Sequence, residues 1–210
     1  MNPIDRATIL HYHRHRIAQF GTGIRALGWR GEPSQHKRFE VIAAAADFTG
    51  ATVLDVGCGR GDLKAYLDER FDGVRYLGVD QMPEFIAAAR ERYAQCPRTA
   101  LYCADFSTVP LPVSDVVVAS GALGYRCAEP DFHFHMIRRM WAVCAGVLVF
   151  NCLDARGFAA HPLLVGRDVD DVMGLCRSLA AEVELVQGYL EDDFTVVMRR
   201  STGHDLEDAT

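Results

Sequence analysis

A glycine-rich segment is the part of this 210-residue sequence with the strongest signature of ligand binding. Residues 53–63 read VLDVGCGRGDL, so that an apolar run leads into Gly57, Gly59 and Gly61 and a helical pattern follows. Glycines permit a tight turn and let the backbone approach a ligand closely, and the start of a helix offers free N–H groups. Asp62 stands where the dinucleotide motif G-x-G-x-x-G would have its third glycine. An acidic residue there is unfavourable for a pyrophosphate but compatible with a cofactor that carries positive charge.

Three aspartates at regular spacing extend this candidate site. Asp55, Asp80 and Asp105 lie 25 residues apart, and each comes at or near the end of a strand-like run. The carboxyl ends of parallel strands form the ligand-binding edge of a sheet. On that edge Asp80 can accept hydrogen bonds from both hydroxyls of a ribose, and Asp105 can accept from an adenine amine with Phe106 beside the base. Each carboxylate taken alone could equally be a helix cap or a loop residue, but the three together predict one ligand-binding edge.

The chain order supplies a scaffold that would bring these strand ends together. Short apolar runs alternate with helical patterns: strands are predicted at 51–56, 75–79, 100–104, 113–119 and 147–152, and helices at 62–69, 83–94, 130–144 and 168–181. Strands that are apolar on both faces and alternate with helices predict a parallel sheet with helices on both sides. The last two runs, 183–187 and 194–198, are joined by a link too short to hold a crossover helix, so that pair is expected to be antiparallel.

These patterns predict an α/β fold, a doubly wound, seven-stranded and mostly parallel Rossmann-like sheet with an antiparallel C-terminal hairpin. Residues 1–48 have a helical pattern, with breaks near residues 21–23 and 31–33 and with Ser34 as the expected N-cap of a helix. A doubly wound sheet leaves its ligand crevice open, so we expect 1–48 to be an N-terminal helical lid. The rival interpretation packs the helix before strand one on the sheet and leaves the histidine-rich run 11–16 in solvent. The remaining chain would be one domain at 49–200 and a polar tail at 201–210.

From about residue 51 to residue 121 the sequence resembles the class I S-adenosylmethionine-dependent methyltransferases, whose D-V-G-C-G-x-G loop is among their more specific signatures. The resemblance implies that residues 49–200 bind S-adenosylmethionine and release S-adenosylhomocysteine. A looser resemblance, carried by 34–38 and 190–195, is to a group of small bacterial methyltransferases of unassigned substrate.

The family's cofactor contacts can be carried over to matching positions of this chain. The resemblance assigns the methionine part to Asp55, Gly57, Cys58 and Gly59, the ribose to Asp80, the adenine to Gln81, Met82, Asp105 and Phe106, and the sulfonium side to Ser120 and Gly121. Arg38, on the helix that leads into strand one, could pair with the cofactor's carboxylate.

The residues that would assist the methyl transfer itself are less clearly marked. Methyl transfer is an in-line displacement, so the enzyme mainly aligns and desolvates the nucleophile, and a general base helps when that nucleophile is protonated. The candidates after strand four are Tyr125, His133 and His135. His133 and His135 are one residue apart in a predicted helix and cannot both face the same pocket. For each histidine a surface or packing role is the simpler interpretation.

Composition limits the partners. The formal charge of -6 and the pI near 5.7 argue against nucleic-acid binding, and together with the small size favour a small-molecule acceptor. No apolar run reaches the roughly 20 residues of a membrane helix, and the first 25 residues lack a signal-peptide core. None of the seven cysteines forms a C-x-x-C pair. We therefore expect a cytoplasmic monomer or homodimer with reduced thiols and no metal site.

The predicted function is methyl transfer from S-adenosylmethionine to N, O or S of a small molecule. Three alternatives stay open at this point. The first is a methylator of protein or nucleic acid that is recruited through a partner, supported only by the basic run 11–16. The others are a non-catalytic S-adenosylmethionine-binding protein and an aminopropyl-transferring relative. No Asn/Asp-Pro-Pro-Tyr/Phe segment follows strand four, which argues against methylation of base or glutamine amino groups.

Overall fold

The computed structural model describes residues 1–21, 23–29 and 31–201, and it contains each of the predicted strands and helices. Its helices are α1 Pro3–Phe20, α2 Glu32–Ala45, α3 Asp62–Asp68, α4 Pro83–Arg92, α5 Phe132–Val143 and α6 Val169–Leu179. Its strands are β1 Thr52–Val56, β2 Arg75–Asp80, β3 Thr99–Cys103, β4 Ser114–Ala119, β5 Cys144–Leu153, β6 Glu182–Val186 and β7 Asp193–Arg199. A short 3-10 helix, Ile24–Leu27, lies between α1 and α2.

Of the tail predicted at 201–210, residues 202–210 lie outside the described residues. None of the described helices is long and apolar enough to cross a membrane.

All seven strands belong to one sheet, in the order β3-β2-β1-β4-β5-β7-β6. β1 to β5 pair in parallel, and β7 runs antiparallel to both β5 and β6. The predicted doubly wound sheet with an antiparallel C-terminal hairpin is therefore confirmed. The strand order changes direction between β1 and β4, and in such sheets the ligand crevice opens at that point, outside the carboxyl ends of the strands.

Neighbouring residues of the central strands enter two separate apolar cores, because successive side chains of a strand point to opposite faces. Leu54 and Val117 lie in the core that α5 and α6 cover. Val53 and Val118 lie in the core on the other face, which includes apolar side chains of α2, α3 and α4. Burial on both faces explains why these strands read as continuous apolar runs.

The N-terminal segment divides into two parts that pack differently. α2 belongs to the sheet layer, because its Phe39, Ile42 and Ala45 are buried in the same core as Val53. The α1 helix and the 3-10 helix instead contact the start of α4, where side chains from all three form a separate small apolar cluster: Leu10, Ile17, Ala26, Leu27, Met82 and Phe85. α2 thus packs on the sheet, whereas residues 1–21 and 23–29 contact the start of α4 and line the cavity at the carboxyl ends of the strands.

The start of α2 differs from the prediction. The helix begins at Glu32, with Gly31 at the N-cap position, so Ser34 lies inside the helix and is not its N-cap. The Ser34 hydroxyl instead donates to the Gly31 carbonyl oxygen at 2.9 Å. The physical reason is Pro33: a proline is tolerated in the first turn of a helix, where no N–H group is needed.

The turn after β1 generates a stability prediction. Gly57 has a φ of 81°, and a Cβ there would lie 2.7 Å from the Ala122 Cβ. Gly50 has a φ of 68° but has no atom within 4 Å of an added Cβ. We expect Gly50→Ala to lower the free energy of unfolding by about 1–2 kcal/mol through backbone strain alone. Gly57→Ala should cost about 1–3 kcal/mol more, because it also overpacks the turn. Urea unfolding of both variants measures the difference, and equal losses would contradict the close contact with Ala122.

Candidate functional site

A cavity opens at the carboxyl ends of β1, β2, β4 and β5. The predicted site residues that line it are Arg38, Asp55, Gly57, Cys58, Gly59, Asp80, Gln81, Met82, Phe106, Ser120, Gly121 and Tyr125. The N-terminal segment contributes the opposite wall, including Ile9, Tyr12, His13, Leu27 and Trp29. The cavity therefore lies between the strand ends and the N-terminal cap, which we define as residues 1–29.

Asp80 holds the glycine-rich loop in place. One oxygen of its carboxylate accepts the Gly59 N–H at 2.9 Å, and the other accepts the Met82 N–H at 2.8 Å. These bonds join the loop after β1 to the end of β2. A carboxylate has about four acceptor positions, so Asp80 keeps the capacity for a further hydroxyl donor. Burial raises the pKa of Asp80, while the backbone hydrogen bonds oppose that shift.

Asp55 lies beneath the loop in a fully enclosed environment. The Tyr76 hydroxyl donates to its carboxylate at 2.5 Å. Burial raises the pKa of Asp55 to about 7, and the nearby negative charges of Asp80 and Asp62 act in the same direction, whereas the Tyr76 hydrogen bond lowers it. Asp55 therefore changes its charge close to neutral pH, which is unusual for a carboxyl group.

Two polar atoms in the cavity wall lack partners. Among the described residues, nothing hydrogen-bonds to the buried Oε1 of Gln81 or to the buried Oγ of Ser120. Buried polar groups are nearly always hydrogen-bonded, so these atoms mark positions where a ligand could supply a partner. Gly59, with a φ of 56°, is closely covered by the cap, because an added Cβ would lie 2.7 Å from the Leu27 Cδ2. Oriented polar atoms beside a close-fitting glycine loop are what a nucleoside-containing cofactor needs.

A buried ion pair closes the far side of the cavity. The Arg38 Nε donates to Asp193 at 2.8 Å, and its Nη2 makes a second bond to the same oxygen. Asn151 also donates to Asp193, at 2.8 Å, while its own oxygen accepts the Gly121 N–H at 2.7 Å. The Trp29 ring lies over the Arg38 guanidinium, 4.6 Å away. Arg38 thus already has a carboxylate partner, so its predicted pairing with the cofactor's carboxylate would have to be additional to the Asp193 pair.

The structure does not bring three of the predicted site residues to the cavity. Asp105 lies after the edge strand β3, where its carboxylate accepts the Ser107 N–H at 2.9 Å and hydroxyl at 2.6 Å. His133 is buried on α5 outside the cavity lining, and burial lowers its pKa to about 4. His135 is exposed to solvent. Both histidines follow strand four in sequence, but α5 carries them away from the strand ends.

The histidine that does reach the cavity is His13, on α1. Its Nε2 lies 2.6 Å from the Tyr125 hydroxyl, and its Nδ1 lies 3.0 Å from the Ala26 carbonyl oxygen. The sequence carries a weak signal for this placement: Ile9, His13 and Ile17 recur at a spacing of four, and Ile9 and His13 are the buried residues of α1. Such a stripe marks the inward face of a helix, and it separates His13 from the exposed His11 and His15 in the same run.

Comparisons with known proteins agree with this architecture. Residues 53–145 match the family described as a methyltransferase domain. Among curated proteins, the chain is 32% identical over 139 residues to trans-aconitate 2-methyltransferase of Variovorax paradoxus, which covers 64% of this chain and 49% of that protein. It is 28% identical over 173 residues to a Mycobacterium tuberculosis protein named only as a candidate methyltransferase, covering 77% of this chain and 99% of that protein. The chain thus spans about half the length of the first of these relatives.

Solved structures show the same fold at low identity. A Bradyrhizobium japonicum N-methyltransferase in complex with S-adenosylhomocysteine gives a TM-score of 0.72 at 18% identity, over 91% of this chain and 98% of that one. The magnesium protoporphyrin IX methyltransferase of Synechocystis with bound S-adenosylmethionine gives 0.69 at 16% identity, over 94% and 97%. The shared fold and the domain matched over 53–145 support the resemblance to class I S-adenosylmethionine-dependent methyltransferases. The resemblance found in the sequence is confirmed, and the substrate within this class is unassigned.

The environment of Asp55 generates a prediction for the pH dependence of stability. Because the folded-state pKa is raised to about 7 from 3.8, the folded protein binds this proton more tightly than the unfolded chain. The stability that this carboxyl contributes is therefore present at low pH and is lost as the pH rises from about 4 to about 7, by a few kcal/mol. Asp55→Asn should remove that part of the decline, as measured by urea unfolding between pH 4.5 and pH 8.

Asp115 offers the matched control. It lies at the start of β4, at the amino ends of the strands, where it accepts the Thr52 N–H, and it is exposed. Asp115→Asn should keep the wild-type pH profile. If Asp55→Asn retained the full decline as well, Asp55 would not be the group that titrates.

Proposed function

We propose that this chain binds S-adenosylmethionine in the cavity at the strand ends and transfers its methyl group to a small molecule. The observation that carries the proposal is the arrangement around Asp80, whose carboxylate holds the glycine loop and faces the cavity together with the unpartnered Gln81 and Ser120. When bound, the cofactor supplies a methyl group on a positively charged sulfur. The protein's part is to bind, align and desolvate, as an in-line displacement requires.

The residues present fit such a cofactor. Asp80 would accept the ribose hydroxyls, and Met82 and Phe106 offer apolar surfaces for the adenine, since both are buried and line the cavity. Gly57 and Cys58 would line the methionine part. Asp55, which titrates near neutral pH, lies where it could meet the cofactor's ammonium. Ser120 and Gly121 form the wall at the end of β4, from which the transferred group would be approached.

A small acceptor is favoured over a macromolecule by the form of the cavity. The N-terminal cap covers the strand ends, and the volume between them is about 210 Å³. This is below the range of roughly 300–1,000 Å³ that is typical of ligand pockets. A cofactor and an acceptor together would need the cap to move outward, so the cap acts as a lid. The acidic net charge of -6 gives no support to a nucleic-acid substrate.

Cofactor binding is the first measurement. Isothermal calorimetry should detect binding of S-adenosylmethionine and S-adenosylhomocysteine but not of NAD. Asp80→Ala should weaken S-adenosylhomocysteine binding by about 1.5–3 kcal/mol, because hydrogen bonds to a charged acceptor are lost. The matched control is Asp115→Ala. The Asp115 carboxylate also accepts a backbone N–H, at 2.8 Å, but it lies at the amino ends of the strands, away from the cavity.

The control variant should bind with wild-type affinity. Binding of NAD in place of both adenosyl compounds would refute the proposed function. An unchanged dissociation constant for Asp80→Ala would show that this carboxylate serves only the loop.

The lid predicts a change in local dynamics. The cap meets the rest of the protein through the small cluster around Met82 and Phe85 and through a few polar contacts such as His13–Tyr125 and Arg14–Glu84, so its opening should cost less than global unfolding. We expect the backbone amides of α1 to exchange with deuterium more slowly when S-adenosylhomocysteine is bound, because the ligand bridges the cap and the strand ends. Amides of β4 serve as the internal reference. Equal exchange of α1 with and without the ligand would contradict the lid.

A further inference from the structure

The cavity wall contains a histidine–tyrosine pair that none of the proposed cofactor contacts uses. The His13 Nδ1 lies 3.0 Å from the Ala26 carbonyl oxygen, and the His13 Nε2 lies 2.6 Å from the Tyr125 hydroxyl. A carbonyl oxygen can only accept, so the proton of the neutral imidazole is on Nδ1. The lone pair of Nε2 therefore faces Tyr125 and accepts its hydroxyl proton. The cap thus fixes the tautomer in which His13 is a base toward the cavity.

The surroundings keep this histidine uncharged. His13 is 5% exposed, and burial lowers its pKa, with the positive charge of Arg16 acting in the same direction. The other groups that face the pair are the Tyr12 ring, 5.2 Å from the imidazole, and Asp80, whose charge helps burial to raise the pKa of Tyr125. At neutral pH the pair is therefore a neutral imidazole and an intact phenol, which is the state that can receive a proton.

We propose that Tyr125 and His13 accept the proton of the nucleophile, and that the acceptor is a small molecule whose hydroxyl or amino group still holds its proton at neutral pH. This inference rests on the proposed function and assigns the acceptor's chemical class. Tyr125 would contact the acceptor directly, and His13 acts through Tyr125 as a positioning and proton-accepting residue. A carboxylate acceptor, already deprotonated at neutral pH, would have no use for such a pair.

The charges of the cavity support the same choice. Among the described lining residues Arg38 is the one permanently cationic side chain, and it is ion-paired with Asp193. The described lining also contains Asp55 and Asp80, and Asp62, which is ion-paired with Arg60 and Arg92. A polycarboxylate such as trans-aconitate would bring negative charge into a wall that offers little to neutralise it. An uncharged hydroxyl compound or an amine meets no such penalty.

The proposed step moves one proton along the pair and one methyl group to the acceptor. The acceptor's O–H or N–H proton moves to the Tyr125 oxygen while the Tyr125 proton moves to the His13 Nε2. The lone pair of the acceptor atom forms the new bond to the methyl carbon, and the electron pair of the broken carbon–sulfur bond stays on the sulfur. His13 ends as an imidazolium, which returns its proton to solvent when the lid opens.

The test uses the full-length protein with S-adenosylmethionine and follows formation of S-adenosylhomocysteine. The probes are a series of para-substituted phenols, a series of primary amines, and trans-aconitate as the carboxylate. We expect turnover in the phenol or the amine series, which distinguishes the two sources of the proton, and none with trans-aconitate. In His13→Gln the amide oxygen can accept a hydrogen bond from the Tyr125 hydroxyl but is too weak a base to take its proton. We expect this variant to lower kcat by about 100-fold or more. Tyr125→Phe should do the same, whereas His15→Gln, an exposed residue of the same helix, should retain the wild-type rate.

Two readouts separate proton transfer from a merely structural role. The wild-type rate should fall as the pH drops below the lowered pKa of His13, and His13→Gln should lose that acidic limb. In ¹⁵N spectra of the protein with S-adenosylhomocysteine, the His13 ring should show a protonated Nδ1 and an unprotonated Nε2. The inference would be overturned by any of three results. These are turnover of trans-aconitate alone, no turnover with any phenol or amine, and an unchanged pH profile in His13→Gln. Calorimetry with S-adenosylhomocysteine keeps the two hypotheses apart, because intact binding leaves the proposed function standing when the base test fails.

Discussion

The buried carboxylate of Asp193 is the constraint on which the cavity depends. A charge removed from water must be paired and hydrogen-bonded, and Asp193 satisfies this with Arg38, Asn151 and the Tyr189 hydroxyl, the last at 2.5 Å. These partners come from α2, β5 and the link before β7, so one group fixes three elements. Removing a single partner would leave an uncompensated buried charge, which is far more costly than losing a surface ion pair. Through Asn151 the same network holds the Gly121 N–H and thus the wall after β4.

The two sides of the cavity are held together in different ways. The cofactor side is built on strand ends and backbone hydrogen bonds, such as those from Gly59 and Met82 to Asp80. The contacts of the cap include a small apolar cluster, the His13–Tyr125 hydrogen bond, the exposed Arg14–Glu84 pair at 2.7 Å, and hydrogen bonds at Met1 and Asp5. Exposed ion pairs contribute little to stability. This asymmetry would suit the proposed methyl transfer, in which the protein binds a constant cofactor precisely, exchanges it with solvent and excludes water during transfer.

The division also explains how the relatives compare with this chain. The matched methyltransferase domain, residues 53–145, covers the strands and loops of the cofactor side. It leaves out α1 and α2, and also Asn151 and Asp193, which form the buried polar network beside the cavity. Solved structures at 16–18% identity nevertheless share the fold over 91–94% of this chain. Packing that only requires apolar residues of suitable size tolerates wide sequence change. Under the proposed function, acceptor choice would depend on a few side chains in the cap and in the loops after β4 and β5.

The sequence by itself determined the class of fold and most of the cofactor side, because these rest on local signals. Apolar runs alternating with helical patterns predicted each strand and helix, and the short link 188–193 predicted the antiparallel hairpin. The glycine spacing at 57–61 and the strand-end aspartates led to Asp55 and Asp80 in the cavity. Local signals were misleading where a competing interaction was stronger: Pro33 moved the start of α2, and Asp105 bonds to Ser107 and does not reach the cavity lining.

Which side chains form the wall of the cavity that faces the cap was set only by the tertiary structure. Arg38 and Asp193 lie 155 residues apart, and His13 and Tyr125 lie 112 apart. No spacing rule links residues at such separations, because their proximity is set by how α1 and α2 pack on the sheet. The same packing carries His133 and His135 away on α5 and brings His13 to the cavity. Side-chain type could nominate these histidines equally, and the direction in which each helix faces distinguished them.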